Sequence, residues 1–231
     1  MRRSFVCVLA LFLLLTVLTC VSQQTDIRQF STFGAFSYLS TPSLNLTQRG
    51  FDGDFGVNMR SWLTLGGDFS YANGHSTLLP NYLNSATQAK LAPYVPVFQH
   101  LGIPLAVPYN SSTYTYEAGP QFNYRRLKHV TFFARPALGA VHANFTAKPN
   151  NPYIQQIVEG LLNGKTSSSD TVVFYGFGGG ITWEITPNFG LRAATDLVHY
   201  NFFSNYLNGG RNSVRVVVGT KFSFGKNILK K

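Results

Sequence analysis

Charged side chains are scarce in this 231-residue sequence. Asp, Glu, Lys and Arg together make up 12% of the residues, whereas about 25% is typical of soluble globular proteins. Aromatic residues reach 15%, and the chain contains 21 glycines. This combination disfavours a soluble helical protein and favours a β-rich protein with an apolar outer surface.

Cysteine is absent from most of the chain. The two cysteines, Cys7 and Cys20, both lie close to the N-terminus. Once that segment is removed, the remaining chain can form neither a disulfide nor a thiolate metal site.

Long apolar runs are confined to the same N-terminal segment. Met1 to Arg3 is a basic start, Val6 to Val17 is an apolar run, and Cys20 to Ser22 are residues of the kind that a signal peptidase reads. The pattern predicts a secretory signal peptide over 1–22 and a mature domain over 23–231. An uncleaved membrane anchor and a lipid on Cys20 remain as alternatives. No later run is long enough for a transmembrane helix.

The mature segment instead alternates between apolar and polar residues. Eight stretches do so, each about as long as the 9–11 residues that a tilted strand needs to cross a bilayer. They are residues 29–39, 51–60, 62–72, 113–125, 129–142, 171–184, 188–201 and 211–224.

The connections between these stretches alternate between short and long. The short ones lie near residues 60–62, 126–128 and 185–187, and the long ones at 40–50, 73–112, 143–170 and 202–210. In an up-and-down sheet, all short connections fall at one end and all long ones at the other, as in outer-membrane barrels. Within the long loops, residues 152–163 have the apolar spacing of a short amphipathic helix.

The charged residues fall on one face of the predicted sheet. They are Asp52, Asp54, Arg60, Asp68, Glu117, Arg125, Arg135, Glu184, Arg192, Asp196, Arg215 and Lys221. A soluble β-sandwich would turn this face to water, whereas a barrel in lipid would turn it inward as a lumen polar network. Strand 29–39 alternates poorly, and its faces are not assigned.

Two features favour the barrel. Aromatic residues cluster near both ends of the apolar face, as expected at the two interfaces of a bilayer. The apolar face of the other seven strands carries no charge, which lipid would require because a mid-membrane charge costs about 2–4 kcal/mol. Within the lumen, Arg192 and Asp196 are four residues apart on one strand, and Arg135 is placed to meet Glu184 or Glu117.

These segments resemble the small bacterial outer-membrane β-barrels, the group that includes the OmpA transmembrane domain and OmpX-like proteins. The resemblance rests on RGFDGDFGVNMRSWLTLGGDFSYANG, GPQFNYRRLKHVTFFARPALGAVHANF and FYGFGGGITWEITPNFGLRAATDLVHYNF. It implies an eight-stranded antiparallel up-and-down transmembrane barrel in the bacterial outer membrane. It also implies that outer-membrane lipid and lipopolysaccharide surround the barrel.

The last strand resembles the C-terminal signal that the barrel-insertion machinery reads in this group. Gly219, Phe222 and Phe224 fit the signal, whereas Val217 occupies a position that is usually polar. Residues 225–231 extend beyond the usual end.

The sequence predicts no catalytic residue, no cofactor and no metal ligand. GFGGG at 176–180 is followed by a strand rather than the helix that a nucleotide site needs, and the histidines lack metal-ligand spacing. His199 and Asn201 partly resemble the His-x-Ser of barrel lipid A deacylases, but the serine is missing. The net charge of +10 does not indicate nucleic acid in an exported protein. We expect a non-enzymatic structural or surface-interaction role, with a narrow porin-like channel as the alternative and lipid A modification third.

Overall fold

The computed structural model describes residues 24–230, so the predicted signal peptide and Cys20 lie outside the described residues. Eight antiparallel strands form a closed barrel in which every strand pairs with its neighbour in the chain and the last pairs with the first. The predicted fold class is confirmed, and a two-sheet sandwich is excluded. Closure leaves no free edge, so each strand has a hydrogen-bonding partner on both sides.

The strands are longer than their apolar patterns. They are β1 (Arg28–Thr41), β2 (Leu46–Arg60), β3 (Leu63–Leu78), β4 (Val107–Tyr124), β5 (Val130–Ala147), β6 (Ser167–Glu184), β7 (Phe189–Tyr200) and β8 (Arg211–Asn227). The additional residues lie mainly at the long-loop end of β3 to β6. There the outward-facing positions are polar, such as Asn73 and Ser112, so the apolar alternation stops before the strand does.

One predicted long connection is wrong. The sequence predicts a loop over residues 40–50, but β1 continues to Thr41 and β2 begins at Leu46. The short 3-10 turn Pro42–Leu44 and Asn45, which adopts a left-handed φ of 48°, join the two strands. The other three long connections are residues 79–106, 148–166 and 201–210.

The long connections contain three short helices. They are α1 (Ser85–Leu91), α2 (Val95–His100) and α3 (Pro152–Leu161), with a 3-10 turn at Pro80–Tyr82. The amphipathic helix predicted near 152–163 is thus confirmed as α3. Asn151 caps the N-terminus of α3, because its side chain accepts a hydrogen bond from the Tyr153 amide, and the helix buries Ile154 and Val158 on one face. Within residues 24–230, no helix is long and apolar enough to cross a membrane.

The structure assigns the faces of β1. Ser31, Phe33 and Leu39 are buried in the lumen, whereas Phe36 and Tyr38 are exposed on the outer surface. Apolar residues therefore occupy both faces of this strand, which explains why its alternation is poor.

Candidate functional site: the lumen and the loop-end cap

The outer surface of the barrel carries a band of exposed apolar side chains. It includes Phe36, Phe51, Phe55, Leu65, Phe69, Tyr116, Phe122, Phe132, Leu138, Val173, Tyr175, Phe177, Trp183, Leu191, Leu197, Val218 and Phe222. Phe177 and Leu197 are 61% and 59% exposed. Exposed apolar area of this extent is not tolerated on a soluble monomer and marks a surface that another apolar phase covers.

Aromatic side chains border this band at both ends. At the long-loop end, Tyr71 contacts Phe51 and Tyr114, with ring centroids 5.6 and 4.9 Å apart. At the short-turn end, Trp62 stacks on Phe122 at 6.2 Å. On β4 the band runs from Tyr114 to Tyr124, which is about 34 Å along the strand and about 26 Å along the barrel axis at the usual tilt. That height matches the apolar band of a bilayer-spanning barrel, which is about 25 Å tall.

Two arginines and four carboxylates form a buried cluster in the lumen. Arg215 lies 2.8 Å from Asp196, 2.9 Å from Asp68, 3.0 Å from Glu117 and 3.3 Å from Asp52. Arg135 lies 3.0 Å from Asp196, 3.3 Å from Asp68 and 3.5 Å from Glu117. We call these six residues the central cluster.

Strand register builds the central cluster as two facing rows. Arg135, Gly178, Asp196 and Arg215 are directly paired across β5 to β8. Asp68 and Glu117 are directly paired across β3 and β4 on the opposite wall. Ion pairs across the lumen join the two rows, so the cluster links the two walls of the barrel.

Gly178 makes the first row possible. A Cβ at this position would overlap the Asp196 carboxylate. Because glycine has no side chain, Arg135 reaches across β6 and donates to Asp196 from Nε at 3.2 Å and from Nη2 at 3.0 Å. Within the glycine-rich stretch 176–180, Gly178 thus creates the space that this part of the central cluster occupies.

Two further ion pairs lie nearer the short-turn end. Arg192 pairs with Asp54, and its guanidinium lies over the rings of Phe33 and Phe133, with centroids at 5.2 and 4.6 Å. Lys221 donates to Glu184 at 2.6 Å.

The other two arginines that the sequence predicts to lie in the lumen, Arg125 and Arg60, differ in position. Arg125 is buried and donates to Asn58 at 2.8 Å. The sequence pattern places Arg60 in the lumen, but it is exposed at the end of β2. A register shift between Asn58 and Arg60 ends the regular alternation there, so Arg60 is not part of the network.

The structure selects among the pairings suggested by the sequence. Arg135 contacts Glu117, whereas Glu184 pairs with Lys221. Arg192 pairs with Asp54 on the far wall rather than with Asp196 on its own strand. Contacts across the lumen therefore dominate over contacts along a strand.

Uncharged polar groups occupy the lumen between the central cluster and the long-loop end of the barrel. Gln48 donates to Ser111 at 3.1 Å and accepts from Thr113 at 3.0 Å. Thr41 lies within hydrogen-bonding distance of Ser213 at 2.7 Å and of Tyr200 at 3.1 Å. Side chains thus occupy this section of the lumen, as expected for eight strands.

The long connections cover the long-loop end of the barrel. We call residues 79–106, 148–166 and 201–210 the loop-end cap. The first and third of these segments are joined by hydrogen bonds from the Asn84 amide to the Tyr206 carbonyl at 2.8 Å and from the Asn208 amide to the Tyr82 carbonyl at 3.0 Å. Leu83 and Leu207 form an isolated β-bridge between them. The segments therefore pack on one another as a folded cap.

A hydrophobic core joins the cap to the barrel. Its buried members are Leu44, Leu46, Leu83, Leu91, Tyr109, Ala137, Val141, Ala143, Phe174, Tyr200, Phe202, Phe203 and Leu207. Phe203 has a left-handed φ of 52°, and its amide donates to Asp170 at 2.6 Å. The sequence pattern does not predict this core, because its members combine loop residues with lumen-facing residues of several strands, such as Ala137, Val141 and Phe174. The sequence feature that could have revealed this core is the high density of Leu, Phe and Tyr in segments predicted as loops.

The residues of the predicted insertion signal lie on β8 near the short-turn end. Phe222 and Phe224 are 51% and 38% exposed on the outer surface, with ring centroids 6.1 Å apart. Gly219 pairs with Ala35 and leaves no room for a Cβ between β8 and β1.

The closed strand order, the apolar band with aromatic borders and the charged lumen together define a membrane-spanning β-barrel of the small, eight-stranded class. No family model matches the sequence, and no curated relative matches it.

The chain resembles solved structures of small bacterial outer-membrane barrels. For Neisserial surface protein A, the identity is 14% and the TM-score is 0.49. The alignment covers 84% of this chain and 96% of that one. For Ail, the attachment invasion locus protein of Yersinia pestis, the identity is 16%, the TM-score is 0.43 and the coverages are 84% and 96%. For a major outer membrane protein of Thermus thermophilus, the identity is 9% and the TM-score is 0.48. The alignment covers 84% of this chain and 99% of that one. A shared barrel does not imply a shared activity.

Proposed function

We propose that this protein is a non-conducting, non-enzymatic barrel of the bacterial outer membrane that acts through its loop-end cap at the cell surface. The observation that carries the proposal is the contrast between the two parts of the molecule. Ion pairs cross the centre of the lumen, and a hydrophobic core covers its long-loop end. The cap, by comparison, consists of long connections that fold on one another.

The ion pairs across the centre of the lumen argue against the porin-like alternative. An ion crossing it would have to separate the central cluster, in which Arg215 alone contacts four carboxylates. It would then have to displace the hydrophobic core around Phe174 and Phe203. We expect no conductance steps from the purified protein in planar bilayers. Regular steps of constant size would overturn this part of the proposal.

The orientation of the barrel can be tested on intact cells. An epitope inserted after Gly164, between α3 and β6, is expected to bind antibody without permeabilisation. The same epitope after Lys128, in a short turn, is expected to bind only after the outer membrane is opened. Reversed accessibility would place the cap in the periplasm and contradict a surface role.

The surface role needs a separate experiment, because exposure alone does not establish it. Residues 80–105 can be replaced by a short Gly-Ser turn that joins β3 to β4. We expect cells that display this variant to lose attachment or cell-to-cell aggregation relative to cells with the intact protein. Equal surface levels of the two proteins are the control, and unchanged attachment and aggregation would contradict the role.

Lipopolysaccharide is the partner that the charge of the cap end favours. Arg49, Lys90, Lys148 and Lys165 are exposed at this end of the barrel. Cations placed just outside an apolar band can pair with lipid phosphates. We expect slower dissociation of lipopolysaccharide from the protein than from a variant with these four residues changed to glutamine.

The non-enzymatic assignment rests on the surroundings of His199. Its Nδ1 lies 2.7 Å from the Asn212 side-chain oxygen, and residue 201 is asparagine rather than serine. We therefore expect the mass spectrum of lipid A to be unchanged after incubation with the protein. Loss of an acyl chain would overturn the assignment.

A further inference from the structure

The loop-end cap contains an apolar cavity of about 150 Å³. It lies between the upper ends of the strands, α1 and α3. Apolar side chains from all of these elements contribute to its wall, among them Leu83, Leu91, Phe145, Ile154, Ile157 and Phe203. The wall contains no Asp, Glu, Lys, Arg or His side chain among the residues that the structure describes.

Such a cavity favours an apolar occupant over water. A buried water typically needs two to four polar partners, and an engineered cavity of about 150 Å³ lined by Leu, Ile and Phe in another protein stays dry and binds benzene. An empty cavity of this size is costly, because each side chain in its wall loses van der Waals contacts. A wild-type protein that keeps such a space beside the hydrophobic core of its cap therefore suggests a ligand.

One polar group in the wall lacks a partner. The Tyr109 hydroxyl is buried and makes no hydrogen bond of acceptable geometry within residues 24–230. Ser76 Oγ is the nearby acceptor; it donates to the Asn45 carbonyl at 2.9 Å, and its position does not give acceptable hydrogen-bond geometry with Tyr109. A buried hydroxyl without an acceptor is unfavourable, so a ligand that carries one acceptor oxygen would satisfy it.

A second, larger space lies on the outer side of the cap. It is a groove of about 700 Å³ between α1, α2 and α3. Leu91, Ile157 and Leu161 line both the groove and the cavity. Tyr94 and Val97, also in the groove, are 48% and 55% exposed. The groove therefore adjoins the cavity, and a small molecule can reach the cavity between these short helices.

We infer that the cavity is a binding site for one small, uncharged, largely apolar molecule of about the size of a monocyclic aromatic compound. The inference goes beyond the proposed surface role and does not depend on it. Two probes of nearly equal shape, ethylbenzene and acetophenone, test it. Both fit the expected size, but only acetophenone has a carbonyl oxygen to accept a hydrogen bond from Tyr109.

Isoleucine methyl groups provide the readout. With ¹³C-labelled isoleucine methyls in nanodiscs, ligand binding is expected to shift Ile154 and Ile157 in a saturable way. Ile181, which faces the lipid with 40% exposure, reports on partitioning of the probe into the bilayer and is the internal control. Shifts of Ile154 and Ile157 that merely follow Ile181 without saturating would overturn the inference.

Two pairs of proteins sharpen the test. Ala147 lines the cavity, so Ala147→Leu is expected to abolish binding, whereas Ala140→Leu on the outer face should leave it unchanged. Tyr109→Phe is expected to remove an advantage of about fivefold of acetophenone over ethylbenzene. Heat-dependent mobility in SDS gels verifies that each variant is folded. Undiminished binding by folded Ala147→Leu would place the ligand elsewhere and overturn the inference. If that variant does not fold, saturation of the Ile154 and Ile157 shifts in the wild-type titration decides whether the cavity binds the probe.

Discussion

Replacing one carboxylate of the central cluster tests whether the ion pairs hold the barrel together. Asp196 is fully buried and accepts hydrogen bonds from Arg135 Nε at 3.2 Å, Arg135 Nη2 at 3.0 Å and Arg215 Nε at 2.9 Å. Asp196→Asn keeps the shape but removes the charge that both arginines share. Because it leaves buried positive charge less well compensated, we expect it to lower the free energy of unfolding by about 3–5 kcal/mol.

Asp52 is the matched comparison in the same cluster. It is also buried, but neither of its carboxylate oxygens makes a hydrogen bond within the described chain. Its contact is Arg215 Nη1 at 3.3 Å, and Arg215 already serves three other carboxylates. Since four carboxylates share two guanidinium groups, Asp52→Asn relieves repulsion as well as removing a weak ion pair. We expect Asp52→Asn to lower the free energy of unfolding by much less than Asp196→Asn does.

Urea titration in lipid vesicles can measure both variants. Trp62 and Trp183 are 51% and 57% exposed on the lipid-facing surface, so their fluorescence reports on removal of the barrel from the bilayer. With a slope of about 2 kcal/mol per molar urea, Asp196→Asn is expected to lower the midpoint by about 2 M.

The comparison between the two variants can refute the argument. Equal shifts for Asp196→Asn and Asp52→Asn would mean that hydrogen-bond geometry does not decide the contribution of a carboxylate. A larger loss for Asp52→Asn would contradict the charge count of the cluster.

Three further substitutions test other parts of the barrel. Gly178→Ala should displace the aspartate that this glycine faces and lower the urea midpoint by at least about 1 M, on the order expected for a disrupted buried ion pair; an unchanged midpoint would show that the row tolerates a Cβ. Phe222→Ala should reduce the amount of folded barrel in the outer membrane several-fold, whereas Val218→Ala, which is similarly exposed on the same strand, should not; equal yields by heat-dependent gel mobility would argue against the insertion signal. Leu197→Arg in the apolar band should cost about 2–4 kcal/mol and Asn73→Arg beyond it at most about 1 kcal/mol, so equal urea midpoints would contradict the placement of the band.

The particular contacts of the lumen could not be predicted from the charged pattern alone. The alternation of side chains along each strand places Arg135, Asp196 and Arg215 on one face. It gives no distance between strands that are far apart in the chain. It also places Arg60 on that face, because a pattern does not reveal the register shift that ends the alternation after Asn58. Parity therefore identifies candidates for the lumen without deciding their partners.

The cap was the least predictable part of the protein. The spacing of Ile154 and Val158 predicts α3, because a helix is a local structure with its own period. The packing of Leu83 against Leu207, and the core around Phe203, depend on three loops that are separated by the lengths of whole strands. No local period connects such segments.

The sequence by itself determined the eight strands, the apolar outer band and the inward direction of most charges, because each follows from a period of two residues within one strand. The tertiary structure decided which acid meets which base, how far the strands extend beyond the band, and that loops and strand ends together line an apolar cavity. These features depend on barrel closure, which sets the stagger of the strands and brings opposite walls within contact distance. Closure is a property of all eight strands together, so no single stretch of sequence encodes it.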